Sequence, residues 1–309
     1  MMAKNSASQR WSLVRQKGES RMDPNTFIVP PGQTIQLADY DPRFTGPFTH
    51  KKEAERQLGE DLKQLQALQD VFYAQDNYAL LIILQAPDAA GKDGAIKHVM
   101  SGVNPQGCQV FSFKKPSDEE LDHDFLWRCM KRLPERGRFG IFNRSYYEEV
   151  LVVRVHPAIL EGQKLPPSRR GPDIWQNRFE DINNFEKYLS RNGIIILKFF
   201  LHLSKEEQKE RFLARLDEPE KNWKFSMADA KERGHWDEYQ AAYEDCFNHT
   251  STEWAPWHII PADRKWFTRA TIADIIVKKL ESLHLAYPTL SAAHQADLDQ
   301  AREALLSEA

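Results

Sequence analysis

Cysteine is scarce in this chain. Three occur in 309 residues, Cys108, Cys129 and Cys246, and no two form a C-x-x-C pair. That spacing excludes a disulfide framework and a cysteine metal ribbon, and it fits a reducing compartment. Long apolar runs are missing too: the stretches at 80–84 and 194–197 fall far short of the roughly 20 residues that a membrane span needs. The opening Met-Met-Ala-Lys-Asn-Ser has no apolar segment of the signal-peptide kind. A cytoplasmic location and no membrane partner are therefore expected. Nor is there an excess of positive charge, because 42 Lys and Arg stand against 45 Asp and Glu for a formal net charge of −3. A dedicated nucleic-acid binder would carry a strongly basic domain, so nucleic acid is not an expected partner, and any polyanion must be held by local clusters of cations. H-E-x-x-H, a serine nucleophile elbow and internal repeats are also absent.

What is present is enough apolar material, 41% of the residues, for one large core. Residues 1–50 are polar and rich in Pro, Gly and Asp, and read as an extended arm with a partly mobile start, docked through Ile28, Val29, Ile35 and Leu37. From Lys51, the residues Ala54, Leu58, Leu62, Leu65 and Leu68 recur at steps of three and four, which predicts a helix with one apolar stripe. The continuous apolar run 78–84 is too short for a buried helix and reads as a central strand. Further strands are expected at 109–113, 139–142, 193–201 and 257–261. Capping-box spacings mark helix starts at Ser117 with Glu120 and Ser204 with Glu207, with a weaker signal at Ser226 and Asp229. Strands alternating with helices predict a three-layer α/β domain on a parallel sheet over residues 51–287, followed by a helical tail over 288–309. Arm and tail offer surfaces for a homo-oligomer.

The chemistry collects where strands end. After the first strand comes Ala86-Pro87-Asp88-Ala89-Ala90-Gly91-Lys92-Asp93-Gly94, the strand–loop–helix spacing of a Walker A phosphate loop. Backbone N–H groups and a helix N-terminus converge there on an anion, Gly91 allows close approach, and Lys92 adds a compact charge for phosphate oxygens. Ala86 replaces the first Gly, and Asp93 replaces the Ser or Thr that usually holds Mg²⁺. A carboxylate inside such a loop would repel phosphate unless a cation lay between them, so Asp88 is the candidate ligand for Mg²⁺. A turn residue bonded to its own backbone is the plainer reading of Asp88.

The strand at 139–142 runs into Asn143-Arg144-Ser145-Tyr146-Tyr147-Glu148-Glu149. Asn143 occupies the usual Walker B position, Arg144 can clamp phosphate oxygens, and Glu148 can bond a base amino group or a metal-bound water. A third cluster, Arg211, Arg215, Lys221 and Lys224, suits a cationic lid at about 204–249, with Pro219 ending its helix. Lys114 and Lys115 follow the second strand, and Arg128 and Arg132, four apart, are expected on one helix face beyond it. Trp223 and Trp236 are assigned to packing rather than to stacking on a base, and Asp122-His123-Asp124 to a polar helix face rather than to a metal.

Together these segments resemble polyphosphate kinase family 2. The similarity covers residues 39–287 and is carried by Leu84 to Gly94, Phe125-Leu126-Trp127-Arg128, Phe142 to Val152 and Trp223-Lys224-Phe225-Ser226. Pro87 and Tyr146 depart from the family's commoner residues. The resemblance implies a thymidylate-kinase-like P-loop fold, Mg²⁺ dependence and reversible phosphoryl transfer between inorganic polyphosphate and a nucleotide. It places Asp88 and Lys92 in the phosphate loop, Asn143 and Arg144 at the Walker B position, and Arg211 and Arg215 in the lid. Members preferring nucleoside diphosphates commonly carry Asp at the Asn143 position. Asn143 with Glu148 is similar to the subgroup that phosphorylates both AMP and ADP, with guanine nucleotides a second option.

The expected machinery is then Asp88, Lys92, Arg144, Arg211 and Arg215 for catalysis. Ala89, Ala90, Gly91, Asp93, Gly94, Arg128, Asn143 and Glu148 are expected at the nucleotide, its phosphate lying in the loop. Lys92, Lys114, Lys115, Arg211, Arg215, Lys221 and Lys224 are expected along polyphosphate. The rival readings are an ATP-dependent nucleoside monophosphate kinase and a nucleotide-sensing module with a degenerate loop.

Overall fold

Every residue of strand β1, Ala79–Gln85, is buried, a pattern that only a strand covered on both faces can have. In the computed structural model, which describes residues 22–308, β1 lies at the centre of a five-stranded sheet. The other strands are β2 (Cys108–Ser112), β3 (Phe139–Asn143), β4 (Ile194–His202) and β5 (Trp257–Pro261). Their order is β2-β3-β1-β4-β5, and all four pairings are parallel. Each of the five expected strands is present, with bounds within one residue of those read from the sequence. In register, Leu84 faces Asn143 and Asn143 faces Ser112, so three strands finish level along one edge. The chain leaves β1 towards β2 and later returns on its other flank as β4. That divergence opens a crevice at the carboxyl ends.

The helices Lys51–Gln75 and Lys92–Val99 pack against Lys265–Glu281, while Ile174–Arg191 packs against β4 and against the helix Trp236–Thr250. On Lys51–Gln75 the buried face is rotated from the expected leucine stripe: Ala54 and Leu65 are buried with Gln57, Asp61, Gln69 and Phe72, whereas Leu58 and Leu68 are half-buried. Hydrogen bonds make this possible. Gln57 Nε2 donates to Asp61 at 2.7 Å, and Gln69 exchanges bonds with the Asn104 backbone at 3.0 and 2.7 Å.

The arm from Met22 covers the β5 edge. The Val29 N–H donates to the Trp257 carbonyl at 2.8 Å, Asn248 brackets the Ile35 backbone, and Glu244 accepts from the Leu37 N–H at 2.8 Å. A covered edge cannot pair with another chain. The start of the arm, residues 1–21, lies outside the described residues. At the other end, the tail helix Ala292–Ser307 is exposed along its length.

Two local expectations are corrected. Ser117 and Glu120 form a full capping box, but the helix they start is only Asp118–Leu121; Asp124 then caps a separate turn, so Arg128 and Arg132 do not share a helix face. At Ser204 the hydroxyl accepts from the Glu207 N–H at 3.1 Å, but the Glu207 carboxylate turns to Arg211 instead, and Asp263 takes the Ser204 N–H.

Candidate active site

The phosphate loop is built on unusual backbone. Ala89 has φ 63° and Gly91 φ 105°, and Gly91 caps the helix Lys92–Val99. A side chain at Gly91 would be strained at that φ. Lys92 folds back so that Nζ donates to the Ala86 carbonyl at 2.8 Å. Burial, and then the charge of Arg144, push its ammonium down to about 8 against the pull of Asp88, Glu148 and Asp93.

Arg144 leaves the end of β3 in the left-handed region, φ 63°, its N–H bonded to the Leu84 carbonyl at 3.0 Å. Such strain at a non-glycine residue persists only where its surroundings fix it. The guanidinium donates to Asp88 Oδ1 at 2.8 Å and lies 3.9 Å from Glu148. Burial raises the Glu148 carboxyl above its ordinary value, and Arg144 and Lys92 oppose the rise. Asn143 donates to Asp93 Oδ1 at 2.6 Å. The two departures from the usual motif therefore compensate, because an amide donor stands opposite a carboxylate acceptor.

Arg211 holds the loop in place. Nε donates to Glu207 at 2.9 Å, Nη1 to the carbonyls of Ala89 and Ala90 at 3.0 and 2.8 Å, and Nη2 to those of Ala262 and Asp263 at 2.7 and 3.2 Å. Its N–H groups are thus directed to protein acceptors and tie the lid helix Lys205–Asp217 to the loop and to the end of β5. Gln208 adds a bond to the Asp88 carbonyl at 3.0 Å. Arg215 is held more loosely, 3.3 Å from Asp229.

Two cavities meet at this point. The larger, about 600 Å³, is a trough along the sheet edge. Asp88, Ala89, Ala90, Gly91, Lys92, Asp93, Gly94, Lys114, Lys115, Asn143, Arg144, Arg211, Arg215, Lys221 and Lys224 all line it. Cations separated by more than a hundred residues thus converge on one surface. Lys265 and Arg269, from the first turns of the helix Lys265–Glu281, complete its far wall. The smaller cavity, about 250 Å³, is aromatic and acidic, lined by Glu148, Asp229, Glu232, Trp236, Tyr239 and Tyr243 among others. Asp88 and Arg144 line both and form the wall between them.

Arg128 lies on neither wall. Its guanidinium bonds the Lys114 carbonyl at 2.8 Å and Glu120 at 3.3 Å and stacks over Phe113, bracing the corner that carries Lys114 and Lys115. Trp223, assigned to packing, is 79% exposed with Lys224 over its ring. Trp236 is turned into the smaller cavity. Tyr239 and Tyr243 join it there at i+3 and i+7 on one helix face, a periodicity that the sequence carries and that the sequence reading missed. Lys265 and Arg269, four apart just after the last strand, carried the same kind of signal. Among the described residues, no group of three or more His, Cys, Asp or Glu could hold a metal ion. No described helix is long and apolar enough to cross a membrane.

Comparison with known proteins bears on the same residues. An ADP-polyphosphate phosphotransferase of Rhodopseudomonas palustris is 52% identical over 282 residues, 91% of this chain and 97% of that protein. An AMP/ADP-polyphosphate phosphotransferase of Meiothermus ruber is 44% identical over 85% of this chain and 94% of its own length. The crystal structure of polyphosphate kinase 2 from Arthrobacter aurescens superposes with a TM-score of 0.82 at 39% identity, covering 90% of this chain and 97% of that one. The polyphosphate kinase 2 family model matches residues 49–287, a span that includes the phosphate loop, both cavities and the lid. With the P-loop fold, the convergent cations and these relatives in agreement, the chain belongs to the polyphosphate kinase 2 family of phosphotransferases.

Proposed function

We propose that the enzyme moves the terminal phosphoryl group of inorganic polyphosphate onto AMP and ADP, and that the two substrates occupy different cavities. One observation carries this reading: a cationic trough and an aromatic, acidic cavity abut at Asp88 and Arg144. The trough suits a polyanion that has no base to stack. The smaller cavity supplies Trp236, Tyr239 and Tyr243 for a purine face, and carboxylates for amino and hydroxyl groups. This revises the expectation that the nucleotide phosphate lies in the loop 88–94: the loop holds the donor chain, and the acceptor phosphate approaches from the far side of the wall. The names of the relatives from R. palustris and M. ruber support the substrate class.

An oxygen of the nucleotide phosphate attacks the terminal phosphorus. The new P–O bond forms as the P–O bond to the next unit breaks, and the shortened chain leaves with the electron pair. The attacking group is already ionised, so no protein nucleophile is needed. Catalysis is positioning and charge stabilisation. Arg144, held between Asp88 and Glu148, is placed to contact oxygens of both substrates, and Lys92 the oxygens of the donor. Mg²⁺ fits the donor set. Such ions take one or two carboxylates with substrate phosphates supplying the rest, and Asp88 presents a carboxylate at the junction whose protein hydrogen bond is made through Oδ1. Bound there, it would neutralise phosphate charge. Because both sides of the reaction are phosphoanhydrides, transfer is reversible.

The test is to incubate purified protein with AMP, Mg²⁺ and polyphosphate, without ATP, and to separate the nucleotides. ADP and then ATP are expected. Product that forms only when ATP is added would overturn the reading.

A further inference from the structure

Five of the ten trough cations are already matched within the protein. Arg144 is paired with Asp88, Arg211 with Glu207, Arg215 with Asp229 and Lys221 with Glu218, while Lys92 is bonded to Ala86. Lys114, Lys115, Lys265 and Arg269 are different: among the described residues, none of these four side chains has a hydrogen bond or an ion pair, and the tenth cation, Lys224, has only the exposed Trp223 ring beneath it. The carboxylates that act on the last two, Glu207 on Lys265 and Glu55 on Arg269, are themselves bonded to Arg211 and Lys51. Like charges left unmatched within each pair repel one another, and in a net acidic protein their placement along one trough needs a ligand to make sense.

Their location says which ligand. Lys114 and Lys115 follow β2, and Lys265 and Arg269 follow β5, the two edge strands of the sheet. Four interstrand spacings of about 4.8 Å separate those edges, roughly 19 Å. A triphosphate seated in the loop would leave the ends of such a trough unfilled. On the β5 side, an ideal Cβ built on Gly94 would lie 3.6 Å from Arg269 Nη2, so Arg269 overhangs the first turn of the phosphate-loop helix. Lys265, one helical turn earlier on the same helix, lines the trough beside it. Partial desolvation, then Arg211, Lys221 and Arg269, hold the Lys265 ammonium below its ordinary value, as expected of a group awaiting an anion.

We infer that Lys265 and Arg269 form a distal phosphate subsite, which binds units of the donor chain beyond those in the loop and makes the enzyme select long polyphosphate over short. The inference rests on the proposed donor assignment and adds to it a determinant of chain length. Neither residue touches the reacting phosphorus, so the effect lies in donor binding.

The experiment compares two donors, linear tripolyphosphate and a fractionated long-chain polyphosphate, at saturating AMP. It uses wild type, Lys265→Ala, Arg269→Ala, the double variant, and the charge-keeping pair Lys265→Arg with Arg269→Lys. The ratio of kcat/KM for long over short donor should fall roughly tenfold in the double variant, the size of one to two charge-assisted contacts at a solvated site. The charge-keeping pair should restore most of it. Because the measure is a ratio, a partly misfolded preparation does not alter it. An equal fractional loss with both donors, or no loss, overturns the subsite. Calorimetric binding of each polyphosphate is run in parallel without nucleotide. If wild type failed to turn over either donor, the reaction reading would fall. The calorimetry would still decide the subsite: a long-chain preference lost in the double variant supports it, and an unchanged preference overturns it.

Discussion

Raising the pH should disable the free enzyme before it disables the enzyme–polyphosphate complex, because Lys92 titrates early. Its ammonium is pushed from 10.5 down to about 8 by burial and by Arg144. That difference corresponds to about 3 kcal/mol held in the ligand-free site. The folded pKa lies below the unfolded value, so the unfolded chain binds more protons between the two. The cost is present in full below pH 8 and disappears as pH rises from about 8 to 10.5. A bound polyanion raises the pKa again and offsets the cost. In steady-state assays, kcat/KM for polyphosphate should therefore fall above pH 8, approaching about tenfold per pH unit, while kcat at saturating donor holds to higher pH. Lys92→Arg keeps its charge throughout, so whatever activity it retains should lack the fall at pH 8. Lys92→Met should abolish turnover yet stabilise the ligand-free fold by roughly 1 to 2 kcal/mol: about 3 gained, less the cost of leaving the Ala86 carbonyl unpaired. Chemical denaturation at pH 7 measures this. A wild-type kcat/KM that stays flat to pH 10, or a clearly less stable Met variant, would refute the reasoning.

Other changes probe the surrounding framework. Asn143→Asp sets two carboxylates where a 2.6 Å hydrogen bond now lies and should lower activity by one to two orders of magnitude, roughly 1.5–3 kcal/mol; adding Asp93→Asn reverses the bond and should recover much of the loss in a double-mutant cycle. Arg211→Lys keeps the charge but cannot reach four carbonyls and Glu207 at once; thermal denaturation should show a loss of roughly 2–3 kcal/mol, with KM for polyphosphate rising as the loop loosens. Lys198 and Glu186 are fully buried, and their network also takes in Tyr146, Tyr147 and the Thr250 carbonyl, so it anchors the segment after Arg144 to the end of the helix carrying Trp236. Lys198→Met alone leaves a buried carboxylate without its cation and should cost roughly 3–5 kcal/mol of stability. The double Lys198→Met/Glu186→Leu variant should cost less than the sum of the single changes.

The phosphate loop and the sheet were legible because their signals are local. A buried strand needs a continuous apolar run, as at 79–85, and a phosphate-binding turn needs glycine and lysine at fixed offsets from it, as Gly91 and Lys92 stand. The same holds for the helix stop at Pro219 and the arm contacts of Val29, Ile35 and Leu37. Side chains with a choice of partners were harder to read. Glu207 has the spacing of a capping residue, yet it bonds Arg211, because the arginine brings a full charge where the cap offers one N–H. Arg211 stands on the helix Lys205–Asp217 and lines the trough, but the acceptors its donors find, loop carbonyls 121 and 122 residues away, have no signature in the sequence. Arg128 braces Lys114 for a similar reason.

The order of residues alone determined which backbone could bend into an anion-binding turn and which runs must be buried. Dihedral freedom and hydrophobicity belong to each residue wherever it goes. Only the tertiary structure decided that the cations after β2, after β5 and on the lid share one trough, that a second cavity of opposite character lies behind Asp88 and Arg144, and which charges remain unmatched. Electrostatic pairing depends on distance in space, and distance in space is fixed by the packing of the whole domain.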